Sequence, residues 1–384
     1  PISLQAAIDT ALKNNLSLQS EKSTADYLQT IKRTAWDIPQ TTITGEYGRM
    51  NSSYNDNKFT ISQSIKFPTV YAQRHSLFDE EWKSGMLNIS VKENELKKQV
   101  TQVYYDLLYL QQKQKLLQHT DSIFATFLQN IELRFSKGES NILEKTTAET
   151  QRGQVSQQLT KLRQDYSILQ LQFKLLLNTT IDFILAENNF KLTFSVFTDT
   201  AIIERHPYIK QLQQDNLISS EKISLERSKL LPDLFISYST MSIQGFGADE
   251  KFYTSSNRFQ SIQFGIGIPL FFWGQNSNID AMKINVQTSQ NNYLLGLQTM
   301  KTQYQQTIQH YNKNLQTVNY YEGTANNNAD IIIKTANLQF QNGTINYLEW
   351  VLLTNNAVSI QSEYIDAVNN LNQSIIDLNS FTNK

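Results

Sequence analysis

Between Pro68 and Pro207, and again after Pro269, the chain contains no proline, and over both stretches its apolar residues recur at a step of seven. Ile89, Leu96, Val103, Leu110, Leu117, Phe124 and Ile131 form one such series; Leu297, Tyr304, Tyr311, Val318, Ala325 and Ile332 form the other. A sustained seven-residue repeat puts one apolar stripe on a helix and winds it into a left-handed supercoil. About 60 residues at ~1.5 Å each give a rod of roughly 90 Å, longer than an ordinary globular domain is wide. Proline suits the first turn of such a helix, where its missing N–H costs nothing. Return stripes follow at steps of four and three: Val155, Leu159, Leu162, Tyr166, Leu169, Phe173 and Leu176, then Tyr364, Val368, Leu371, Ile375 and Leu378. Both stretches are therefore expected to double back as antiparallel helical hairpins.

The same order of signals is written twice. Pro39 precedes TTITGEYGRM as Pro232 precedes DLFISYSTMSI, and Pro68 closes FTISQSIKF as Pro269 closes QSIQFGIGI. Phe135, Gly138, Asn141, Leu143 and Glu144 match Phe340, Gly343, Asn346, Leu348 and Glu349 at one constant separation of 205 residues. Internal repetition at a fixed spacing marks a duplicated structural unit. The first repeat is expected over 1–200: a helix, a β-hairpin at 41–67, a long helical hairpin at 69–177 and a separate segment at 178–200. The second is expected over 201–384: a helix, a β-hairpin at 233–268 with a longer strand-to-strand loop, and a helical hairpin at 270–381. Glycine at each helix turn supplies the left-handed backbone that ends a helix, and the following asparagine caps the next one. In 178–200, Phe190, Leu192, Phe194 and Val196 alternate as a short strand would.

The strand segments alternate with period two. Phe59, Ile61, Ile65 and Phe67 interleave with Thr60, Ser62, Ser64 and Lys66; Ile262, Phe264, Ile266 and Ile268 interleave with Ser261, Gln263, Gly265 and Gly267. One face is oily and the other wet, and each run has about the 9–11 residues that a tilted strand needs to cross a bilayer. Four such strands cannot close a barrel alone, and an open edge in lipid leaves backbone groups without partners. Three copies with four strands each would supply twelve. Aromatic residues gather beside the hairpins at Phe67 and Tyr71, and at Phe271, Phe272 and Trp273, as a membrane interface requires.

Composition narrows the function. Lys plus Arg number 34 against 35 for Asp plus Glu, a formal net charge of −1, so nothing in the charge balance invites nucleic acid. There is no cysteine, which removes disulfides, thiolate metal sites and cysteine nucleophiles. The four histidines, at 75, 119, 206 and 310, never fall at i, i+3 or i+4, so no helical metal site is expected. Neither a glycine-rich phosphate loop nor a nucleophile elbow is present, and no catalytic residue, metal or cofactor is expected.

The duplicated helix-strand-strand-helix order and the paired Phe-x-x-Gly-x-x-Asn-x-Leu-Glu segments resemble the TolC family of outer-membrane efflux proteins over essentially the whole chain. The runs ISQSIKFPTVYAQ and GIGIPLFFWGQN are most similar to the branch serving heavy-metal pumps of the resistance-nodulation-division (RND) class. What the resemblance implies is a mainly α protein with a membrane β portion. It further implies a homotrimer with a twelve-stranded β-barrel, an α-barrel of long coiled-coil helices and an equatorial band. The chain is then an exit duct in a Gram-negative outer membrane, its helical part projecting into the periplasm, working with a periplasmic adaptor protein and an inner-membrane RND-type pump. Attachment to the C-terminus of such a pump would account for a start at Pro1 without an export signal. The same fold would also serve drug efflux or type I protein secretion; a soluble coiled-coil scaffold would use the heptads and leave the strands unexplained.

The resemblance also assigns places. Phe135, Gly138, Asn141, Leu143, Phe340, Gly343, Asn346 and Leu348 belong to the periplasmic tip where the adaptor docks. Glu349, and by repetition Glu144, are candidates for the aperture, where three copies of an acid would form a ring favouring cations. Phe59, Ile61, Ile65, Phe67, Ile262, Phe264, Ile266 and Ile268 would face outer-membrane lipid. The Gln- and Asn-rich helices are expected to line a wet, nearly neutral tunnel.

Overall fold

The computed structural model describes residues 1–187, 189–193 and 201–382. They divide into two compact units, one made of Pro1–Ser20, Ser90–His206 and Leu297–Lys384, the other of Glu21–Ile89 and Pro207–Gly296. Helices α3 (Pro68–Ser136) and α7 (Trp273–Tyr320) contribute residues to both. Among the described residues no helix is long and apolar enough to cross a membrane.

The first unit is helical. It holds α1 (Leu4–Asn14), the second part of α3, α4 (Ile142–Leu177), α5 (Ala201–Glu204), the second part of α7, α8 (Asn326–Gln341) and α9 (Tyr347–Thr382). The seven-residue stripe of α3 is buried at Leu96, Val103, Leu110, Phe124 and Ile131, and that of α7 at Tyr304, Tyr311 and Val318. The return stripes bury Val155, Leu159, Leu162 and Phe173 on α4, and Val368, Leu371, Ile375 and Leu378 on α9. Burying such a stripe, at roughly 25 cal/mol per Å² of apolar surface, is what holds helices whose intrinsic propensity is modest.

One departure from the expected helix is a π turn at Tyr321–Ala325 between α7 and α8. Here the seven-residue step keeps Val318 and Ala325 buried but leaves Ile332 only half-buried. The turn is tied on two sides. Lys191 reaches Glu322 at 2.8 Å, and the Tyr364 hydroxyl donates to the same carboxylate at 3.0 Å. Tyr321 donates to Glu363 at 2.7 Å.

The segment expected to alternate as a strand is held otherwise. Phe194 and Val196 lie outside the described residues. Phe190 and Leu192 are not in a strand: the Leu192 N–H donates to the Asn372 side-chain carbonyl at 2.8 Å, and the Asn372 side-chain amide donates to the Phe190 backbone carbonyl. The β contact in this stretch is instead an isolated parallel bridge between Ile2 and Leu185. A buried asparagine side chain satisfies the backbone groups that a neighbouring strand would otherwise take.

The second unit contains α2 (Leu16–Ile31) from Glu21 onward, a 3-10 turn at Lys32–Trp36, the start of α3, α6 (Pro207–Ser228) and the start of α7. It also carries a four-stranded antiparallel sheet of β1 (Thr42–Gly48), β2 (Asp56–Ile65), β3 (Asp233–Ser242) and β6 (Arg258–Gly267), in the order β1-β2-β3-β6. The longer second loop holds a two-residue ribbon of β4 (Gly245–Phe246) and β5 (Phe252–Tyr253). Asp79 on α3 bonds Lys32 and pairs with Lys83 at 2.9 Å, and both ammonium groups hold its carboxyl below the usual range.

Candidate functional site

The sheet has two chemically opposite faces. Cross-strand register aligns Ile43, Ile61, Tyr238 and Ile262 in one row, Gln63, Ile236 and Phe264 in the next, and Ile65, Leu234 and Ile266 in a third. Directly opposed residues share a face, so these rows form one apolar surface. That surface is open to solvent, with Phe264 at 76% exposure. On the other face Thr42, Ser62, Ser237 and Gln263 align, as do Thr44, Thr60, Ser239 and Ser261, whose last two hydroxyls share a hydrogen bond of 2.7 Å. Phe235, Met241 and Phe259 are the large apolar side chains on this hydroxyl-rich side. The edges of β1 and β6 have no partner strand among the described residues.

Of the residues expected to face lipid, Phe59, Ile61, Ile65, Ile262, Phe264 and Ile266 lie in β2 and β6 on the apolar side. Phe67 and Ile268 lie just past the strand ends, and the Phe67 carbonyl accepts the Val70 N–H at 2.8 Å as α3 begins. The expected aromatic cluster needs correcting at Tyr71. That ring is only 4% exposed, its hydroxyl accepts the Lys66 N–H at 3.1 Å, and it stacks on Trp36 at 6.2 Å. Trp36, 58% exposed, takes the surface position instead. Phe271, Phe272 and Trp273 are exposed.

The two helix turns have one backbone design. α3 ends with Gly138 at φ 74°, whose N–H bonds the Phe135 carbonyl at 3.0 Å while the Glu139 N–H bonds the Arg134 carbonyl at 2.9 Å. α8 ends with Gly343 at φ 71°, whose N–H bonds the Phe340 carbonyl at 3.1 Å while the Thr344 N–H bonds the Gln339 carbonyl at 2.8 Å. Each is a Schellman cap, and glycine accepts the left-handed backbone without a Cβ penalty. Asn141 then accepts the Glu144 N–H at 2.9 Å, and Asn346 accepts the Glu349 N–H at 3.0 Å.

The acids following each turn are held by local bonds. The Glu349 carboxylate accepts the Asn346 N–H at 2.9 Å, closing a reciprocal capping box, and the Glu144 carboxylate accepts the Ser140 hydroxyl. Glu349 is exposed and Glu144 half-buried. Around them Phe135, Leu143 and Leu348 are exposed, Leu143 at 74%, while Phe340 is half-buried.

Below the turns lies a cluster the sequence reading missed. Phe124, Phe127 and Ile131 of α3, Ala148 and Val155 of α4, Ala336 of α8, and Tyr347, Trp350 and Val351 of α9 pack together. Phe127 stacks on Trp350 at 4.2 Å and on Tyr347 at 4.9 Å. The Trp350 indole N–H donates to Asn337 at 2.8 Å. Burial, with the Glu144 charge second, pushes the Tyr347 phenol up to about 12. Tyr347 and Trp350 stand three residues apart on one helix, an aromatic pair that could have flagged the contact. Farther along α3, burial raises the Asp106 carboxyl although Asn369 and Gln373 both donate to it, at 3.4 and 2.9 Å. Lys113 pairs with Asp366 at 2.8 Å. No cluster of three or more metal-ligating side chains occurs among the described residues.

Residues 200–384 match the family described as outer membrane efflux protein. The family match covers the second half of the chain, the half that carries β3, β6 and the Gly343 turn. The chain's fold matches solved structures over 99% of its length. The structure of a Pseudomonas aeruginosa membrane protein aligns at a TM-score of 0.85 with 16% identity over 90% of that chain. The Campylobacter jejuni CmeC outer membrane channel aligns at 0.82 with 14% identity over 85% of that chain. CusC, described for the conformational changes accompanying folding and transmembrane channel formation, aligns at 0.80 with 15% identity over 91% of that chain. No curated protein sequence matches this chain.

Proposed function

We propose that this protein is an outer membrane efflux protein, one protomer of a homotrimeric exit duct that passively conducts small solutes, heavy-metal cations among them, from periplasm to exterior. The observation that carries this reading is the sheet: one apolar face, one hydroxyl-rich face, and two unpartnered edges. Three copies joined edge to edge would close twelve strands with the apolar face toward outer-membrane lipid and the hydroxyl face toward water. In this reading the two halves, 1–200 and 201–384, are two copies of one ancestral unit, and the helices project into the periplasm. The chain conducts and carries out no chemistry of its own.

The helix turns around Gly138 and Gly343 would meet a periplasmic adaptor, which links the duct to an inner-membrane RND-type pump. Exposed Phe135, Leu143 and Leu348, with the Asn141 and Asn346 caps behind them, suit such docking. Glu349 would supply one carboxylate per copy to a ring at the aperture, and Glu144 is its counterpart in the first half. The heavy-metal assignment draws on the ISQSIKFPTVYAQ and GIGIPLFFWGQN segments and on the fold shared with CusC.

The test is reconstitution of the purified full chain in planar bilayers, with its mass measured in detergent. A trimer that opens cation-preferring conductances fits the proposal, and Glu349→Gln, which retains the capping geometry, is expected to reduce the preference. A monomer soluble without detergent and silent in bilayers would overturn it. Loss of metal tolerance without loss of drug tolerance on deletion would support the cation assignment, and the reverse would remove it.

A further inference from the structure

The apolar face of the sheet changes character toward its loop end, where residues 49–55 and 243–257 connect the strands. Rows built from isoleucine, leucine and phenylalanine give way to Gly45, Phe59, Thr240 and Gln260. The next row pairs Tyr47 with Asn57, and Ser242 with Arg258. The Asn57 N–H donates to the Ser242 hydroxyl at 3.0 Å, joining the two pairs. Because side chains alternate along a strand, Arg258 stands on the same side as Ile262, Phe264 and Ile266's row neighbours, at the rim of the oily surface.

Arg258 is exposed yet fixed. Its Nε donates to the Thr240 hydroxyl at 3.1 Å, one terminal nitrogen donates to the Thr240 carbonyl at 2.8 Å, and the other bonds the Asn57 side-chain carbonyl. The guanidinium also lies 5.8 Å from the centre of the Phe59 ring. Three of its five N–H groups are thereby used, leaving one on each terminal nitrogen, the pair that grips a phosphate from two sides. No carboxylate pairs with Arg258 among the described residues. Other sheet cations are paired: Lys58 with Glu46 at 3.5 Å and Lys66 with Asp233 at 2.6 Å.

We propose that Arg258, held by Asn57 and Thr240 and backed by Phe59, is a binding site for the phosphate-bearing headgroup of a lipid in the leaflet adjoining the loops. The inference rests on the proposed membrane role of the sheet. An unpaired, pre-positioned guanidinium directly beyond an apolar surface is complementary to a molecule whose acyl chains cover that surface and whose anionic phosphate sits at its rim. A freely diffusing phosphate would use the guanidinium and leave the adjoining apolar rows unexplained.

The test places the full chain in phosphatidylcholine bilayers with and without lipid A and measures both retained lipid and thermal stability. Wild type is expected to retain lipid A in preference to phosphatidylcholine. Arg258→Gln is expected to weaken that preference about fivefold, the effect of one interfacial arginine, and Arg258→Lys to recover part of it. Equal destabilisation of Arg258→Gln in both bilayers would reduce Arg258 to a staple between β2, β3 and β6 and overturn the proposal. Absence of preference in wild type, or displacement of lipid A by inorganic phosphate, would overturn it as well. A chain that enters neither bilayer would instead refute the membrane reading on which it stands.

Discussion

The two helix turns share a backbone and differ in what stands behind it. Both have a Schellman cap on glycine and an asparagine N-cap three residues later. After the first turn α4 begins with Ile142 and Leu143 exposed; after the second, α9 begins with Tyr347 and Trp350 each 3% exposed and stacked on Phe127. The first turn is also richer in charge, with Arg134, Lys137, Glu139, Glu144 and Lys145 against Glu349 alone in the corresponding stretch. A turn motif fixes direction, whereas packing decides how firmly the helix after it is held.

The contrast breaks most visibly at Trp350. Trp350→Ala removes the Phe127 stack and the Asn337 bond, and is expected to cost about 3–5 kcal/mol. Hydrogen exchange should accelerate across the start of α9, while Ile142→Ala at the first turn changes exchange little. If both variants behaved alike, the two turns would be energetically equivalent and the comparison would fail.

Glycine replacement should treat the turns equally. Gly138→Ala and Gly343→Ala each force a Cβ into a left-handed conformation, although nothing lies within 4 Å of the added atom. Each is expected to cost about 1–2 kcal/mol, read from the denaturation midpoint. A markedly larger loss at one turn would mean that contacts beyond the backbone decide the effect.

The caps should separate the turns again by less. Asn346→Ala breaks a reciprocal box and Asn141→Ala a single bond, so about 1 kcal/mol is expected for the former and somewhat less for the latter. Thermal melts of the two variants measure the difference.

At neutral pH the smallest effect is expected from Tyr347→Phe, because the phenol is protonated in both folded and unfolded chains. Its folded pKa is raised from 10.0 to about 12, so its contribution is complete below pH 10 and is lost as pH rises through about 12. An alkaline titration of stability should fall less steeply over that window in Tyr347→Phe than in wild type. Identical curves would show that Tyr347 does not report on the buried second turn.

Local features were legible in the sequence. The Gly-to-Asn spacing sets both turns within a few residues, and the alternation in β2 and β6 names the sheet's apolar face directly. Tyr71 and Trp36 were not legible, because which of two stacked rings is buried depends on α3 crossing near the 3-10 turn. The Phe127, Tyr347 and Trp350 stack joins residues more than 200 positions apart, beyond any periodicity. The reciprocal box of Asn346 and Glu349 is written in the Asn-x-x-Glu spacing, a helix-start signature, whereas the same spacing at Asn141 and Glu144 does not show that the Glu144 carboxylate turns to Ser140 instead. The π turn left no hydrophobic signal, because Val318 and Ala325 keep the seven-residue step across it.

That π turn sets the phase of everything after it. One additional residue in a helix rotates the following side chains by about 100° about the axis. The face of α8 that brings Phe340 to within 5.2 Å of Phe127 is therefore chosen at Tyr321–Ala325, some fifteen residues earlier. Excising a single residue there would aim Phe340 elsewhere while leaving its identity untouched.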